Sequence, residues 1–121
     1  MAEAFARVYG SDVIAPASAG LAPARIIAPD TLKVMDEKGI DMHAHFPKSL
    51  EHLGRAEFDL VINMSGEPLP ENLNCPAREW PVDDPVRMKY LAHCAVRDQI
   101  ERFVMGLILE LRREQAKPAA I

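Results

Sequence analysis

The sequence predicts a small α/β domain: a small parallel sheet flanked by helices and lacking its first strand. Three observations carry this expectation. Apolar residues recur at helical spacing near both ends of the chain. Between them lies a continuous apolar run, Asp59-Leu60-Val61-Ile62-Asn63-Met64, of the kind that parallel sheets bury on both faces. The first helical pattern also runs straight into Met1, with no Ser, Thr, Asp or Asn to cap it and no strand ahead of it.

The elements follow in order. Ala2, Phe5, Ala6 and Tyr9 fall on one face, which predicts a helix over 2–9, with Gly10 in the position that usually closes one. A helix this short is marginal alone, so something must anchor its front end. Residues 13–17 read as a short strand closed by the Ser18-Ala19-Gly20 turn. Pro16, which lacks an N–H, places that strand at an edge. A second helix is expected over 29–38. Pro29 sits in its first turn, Asp30 at its positive end, Leu32 and Met35 on its buried stripe, and Gly39 at its close. Residues 40–48 read as a loop and 49–53 as a short helix. The strand at 59–64 is broken by Ser65-Gly66-Glu67-Pro68, and a shorter strand follows at 78–82. From 87 to 114, Val96, Ile100, Phe103, Val104, Leu107, Ile108 and Leu111 recur at steps of three and four, which predicts a long amphipathic helix. Strands separated by helices imply right-handed crossovers, and a ligand site at the carboxyl ends of the strands.

Length and composition bound the rest. The 121 residues suffice for one core, read as a single domain over 1–115 with a tail at 116–121. Apolar residues make up 49% and charged residues 26%, as in ordinary globular proteins. A net charge of −4 argues against a nucleic-acid or anionic-membrane partner. No apolar run reaches the ~18 residues needed to span a bilayer, and the N-terminus lacks the pattern of a signal peptide. Cys75 and Cys94 lie far apart and outside any C-x-x-C, so they read as reduced thiols in a cytoplasmic protein.

Six segments, in order, resemble one family. Met1-Ala2-Glu3-Ala4-Phe5-Ala6 is similar to the start of the first helix of low-molecular-weight protein tyrosine phosphatases and their arsenate reductase relatives. Ser18-Ala19-Gly20 resembles their S-A-G turn, and residues 35–41 their M-x-E-x-G-I-D helix end. His45 with Lys48-Ser49-Leu50 resembles the H-x-x-K-S-L stretch. Residues 59–64 resemble the buried central strand, and Trp80 to Pro85 the W-x-x-x-D-P loop. The resemblance runs over about residues 1–114. It implies a phosphotyrosine-phosphatase-I-like fold and a phosphate or arsenate oxyanion substrate, with no cofactor.

The family's chemistry depends on a C-x5-R-S loop between the first strand and first helix. Its Cys thiolate attacks phosphorus or arsenic, while the Arg and the backbone N–H groups cradle the oxyanion. This sequence holds no such loop: six positions after Cys75 stands Pro81, and six after Cys94 stands Ile100. The chain as it stands is therefore expected to lack the nucleophile and to be inactive alone. A full-length form would be longer by roughly 15 to 20 residues, enough for a strand and a tight loop. The alternative is a catalytically dead dimerisation or binding module. The family's general acid, the Asp of its D-P loop, corresponds to Asp84. Without the resemblance, Asp83-Asp84 reads simply as a solvated turn capping the last helix.

Two departures bear on the substrate. Val86-Arg87 stand where many of the tyrosine phosphatases place aromatics. Cys75-Pro76 resembles the second relay cysteine of thioredoxin-coupled reductases, but Ser65 stands at the first, and a hydroxyl cannot relay a disulfide. His43 and His45 lack the further ligands a metal site needs, so no metal is expected, and His45 reads as a loop hydrogen-bonder. His52 and His93 are placed on helix surfaces. Trp80 reads as a core or pocket-wall residue, Cys94 as core packing, and Asp36-Glu37-Lys38 as a solvated helix end. Losing a central strand would expose ladder groups, so the chain is expected to self-associate, as a homodimer.

Overall fold

The computed structural model describes residues 1–20, 27–49, 57–69, 75–83 and 89–116. Within them the order is α1 (Ala2–Tyr9), α2 (Pro29–Asp36), β1 (Val61–Asn63), β2 (Ala77–Glu79) and α3 (Tyr90–Ala116). β1 and β2 form a two-stranded parallel sheet in which Val61 faces Ala77, Ile62 faces Arg78 and Asn63 faces Glu79. The α/β class and the parallel pairing are as expected.

α1 buries Ala4, Phe5 and Ala6 against α3, and Phe5 stacks on Tyr9 at 5.7 Å. Met1 caps it only through its carbonyl, which accepts the Phe5 N–H at 3.0 Å. Gly10 does close α1, but not by a left-handed turn, since its φ is −134°. Its lack of a side chain matters for packing instead: a Cβ there would lie 2.6 Å from Ile108 Cγ1 of α3. Arg112 secures this junction from α3, donating to the Tyr9 carbonyl at 2.8 Å and to both carboxylate oxygens of Asp12 at 2.9 Å.

α2 ends as its sequence predicts. Gly39, at φ +72°, donates to the Asp36 carbonyl at 2.8 Å. Ile40 N–H donates to Met35 at 3.1 Å, and both of these side chains are buried. The residues just beyond are more than a solvated end. Lys38 pairs with Glu101 at 3.1 Å, and Glu37 binds Arg97 at 2.7 Å and the Tyr90 hydroxyl. Arg97 also donates to the Val34 carbonyl at 3.0 Å, joining α2 to α3.

Three expectations need correction. Residues 13–17 do not form a ladder strand. Val13 and Ile14 turn back onto the Gly10 carbonyl, and Pro16 offers no N–H while its carbonyl accepts from Arg7 at 2.9 Å. Only an isolated parallel bridge, Gly20 to Ser49, marks the end of that segment. The run at 59–64 is not buried on both faces: Leu60, Val61, Ile62 and Met64 are half-buried, because β1 is paired on one edge only among the described residues. His93 is not on a surface. It is 2% exposed and meets Thr31 Oγ1 across α2 and α3 at 3.0 Å. The expected helix at 49–53 lies outside the described residues apart from Ser49.

The core is accordingly helical. Its buried apolar residues come from α1, α2, the 40–42 segment and α3, and no strand residue is among them. No helix among the described residues is long and apolar enough to cross a membrane.

Candidate active site

The front of α1 gathers the segments that carry the sequence resemblance. Glu3, in the first turn, has a side chain only 8% exposed and accepts from three directions. Ser18 Oγ donates to it at 2.6 Å, Lys48 Nζ at 3.2 Å and Arg7 Nη2 at 3.3 Å. His45 Nδ1 stands 3.6 Å from its second oxygen. Beside this hub the Gly20 N–H donates to the Lys48 carbonyl at 2.7 Å, closing the bridge between the two loops. Glu3 thus ties the helix start, the S-A-G turn and the H-x-x-K-S stretch into one cluster.

The electrostatics follow from the count of charges. Burial pushes the Glu3 carboxyl up, but the hydrogen bonds from Ser18 and Lys48 outweigh it and hold it below its ordinary value. One carboxylate then faces two permanent cations, Lys48 and Arg7. The surplus positive charge lies at the end of α1 where N–H groups carry no side-chain cap. Such a place favours an oxyanion in front of the helix. His45 takes part as the loop partner expected of it. His43 binds Asp41, and among the described residues no group of three or more His, Cys, Asp or Glu side chains could hold a metal ion.

Glu3 was not singled out from sequence. The available signal was a carboxylate in the first turn of a helix, flanked by Ala2, Ala4 and Phe5, a place where an acid stays only if it is paired.

A second feature lies at the carboxyl ends of the strands. A shallow cleft of about 490 Å³ opens there, bounded by the ends of β1 and β2 and by Gln99 of α3. Trp80 lines it and stacks on Phe103 with centroids 5.2 Å apart, so the pocket-wall reading of Trp80 holds. Asp83 is on its rim; Asp84, the candidate general acid, lies outside the described residues. The loop after β1 is tightly held. Asn63, 5% exposed, accepts from the Ser65 N–H and hydroxyl at 3.1 and 2.6 Å and donates to the Glu67 carbonyl at 2.7 Å. Ser65 is therefore a loop-forming residue. Cys75 and Cys94 are free thiols. Cys94 packs against the core as expected and also donates to Glu37 at 3.8 Å.

A parallel sheet packed beside three helices, with a cleft at the strand ends, defines a small α/β protein. The chain matches the low molecular weight phosphotyrosine protein phosphatase family over residues 1–117, and it belongs to that family. A curated relative, the glutaredoxin arsenate reductase of Synechocystis sp., is 29% identical over 119 residues, covering 92% of this chain and 87% of the relative. Among solved structures, an arsenate reductase in the phosphate binding state superposes with a TM-score of 0.81 at 29% identity, over 91% of this chain and 86% of that one. An arsenate reductase in the oxidized state gives 0.78 at 29% identity, over 91% and 86%. The arsenate reductase of Archaeoglobus fulgidus, at 19% identity and a TM-score of 0.76 over 88% and 86%, shares the fold.

Proposed function

We propose that this chain is the scaffold of a phosphatase or arsenate reductase whose cysteine nucleophile is carried by a full-length form and is absent from residues 1–121. The observation that carries the reading is the Glu3 cluster, which builds a positively biased, uncapped helix start where an oxyanion would sit. The substrate is phosphate or arsenate oxyanion. Arsenate is favoured by the names of the 29%-identical relatives and by Val86-Arg87 in place of aromatics. Asp84 is the general acid that protonates the leaving oxygen in the ester-hydrolysing form. Two free thiols suit a reducing compartment, the cytoplasm.

The test has two arms. Residues 1–121 alone should neither hydrolyse an aryl phosphate nor reduce arsenate with an external thiol. A form extended ahead of Met1 by a strand and a C-x5-R-S loop should do one or the other, and Asp84→Asn should slow ester hydrolysis. Turnover by residues 1–121, abolished by Asp84→Asn, would overturn the assignment.

A second reading has one observation in its favour. Among the described residues β1 has an unpaired edge carrying half-buried apolar side chains. On that reading the chain is a dimerisation or binding module that pairs its edge with a second copy. Light scattering at micromolar concentration decides it: a monomer excludes the homodimer.

A further inference from the structure

We draw no further inference here: the strongest candidate, the side-chain cluster of Glu37, Tyr90, Cys94 and Arg97 where the end of α2 meets α3, spends its polar groups on holding the two helices together, and nothing among the described residues points to a ligand for its lone thiol.

Discussion

The helical side and the strand side of this molecule are held by different physics. α1, α2 and α3 share a core of fully buried aliphatic and aromatic side chains, closed by Arg97 and Arg112 on helix carbonyls. β1 and β2 are joined to each other, yet their most apolar residues remain half-buried. An apolar run of that kind lowers its free energy by being covered. The helices have found their cover in each other, and the strand β1 has found half of its own. Stability should therefore be a property of the helical side.

The largest expected effect comes from breaking the first half of this contrast. Ile108 is fully buried and fills the space that Gly10 leaves. Ile108→Ala should cost about 3 kcal/mol, through lost burial and the cavity left behind. Ile62→Ala on β1 should cost only about 1 kcal/mol, since less area returns to water. Urea denaturation of both variants checks the difference, and equal losses would mean the sheet is as deeply built in as the helices.

The next effect sharpens the contrast at the α1 front. Glu3→Gln leaves the shape but removes the charge that Lys48, Arg7 and His45 share, and should cost about 2 kcal/mol. It should also speed amide exchange at Gly20, whose bridge sits beside the hub. The pH dependence has a fixed sign. Because the folded carboxyl is held low, its contribution is present above the unfolded pKa and is lost as pH falls through the folded value. Glu3→Gln should remove that part of the acid limb, whereas Glu79→Gln on the exposed strand should leave it intact.

His93 offers a smaller effect of the same sign. Burial pushes its ring below the ordinary histidine value, with the Asp30 carboxylate opposing. The neutral ring is therefore favoured in the fold, and the unfolded chain binds more protons. Stability from this group is present above about pH 6.5 and declines as pH falls through the lower folded value. His93→Gln should flatten thermal stability over that window; an unchanged profile would mean the ring titrates freely.

These residues also show what was legible in the sequence. Helix periodicity is local, so α1 was readable to its last residue and α2 to its glycine. His93 was misplaced although the signal existed: it stands three, four and seven residues from Val96, Arg97 and Ile100, all buried on the same stripe. Residues 13–17 failed for a different reason. Extended propensity does not say whether a ladder partner is present, and here Arg7 competes for the Pro16 carbonyl. The motifs around the α1 front were legible one by one, but their meeting on Glu3 spans 15 residues to Ser18 and 45 to Lys48, which no local pattern encodes.

The smallest expected effect tests what ties the two sides together. Arg78 on β2 and Glu110 on α3 make a well-formed two-pronged ion pair between them, raising the arginine pKa and lowering that of the glutamate through their hydrogen bonds. Both side chains are open to water, where the attraction is screened and offset by the cost of ordering two long side chains. Arg78→Ala should therefore leave the thermal midpoint indistinguishable from that of the parent chain at physiological salt. If it instead loosened β2, with faster exchange at the Val61 and Trp80 amides, then charge rather than apolar contact would be holding the sheet to α3. The contrast between the two sides would then be one of interaction type as well as of burial.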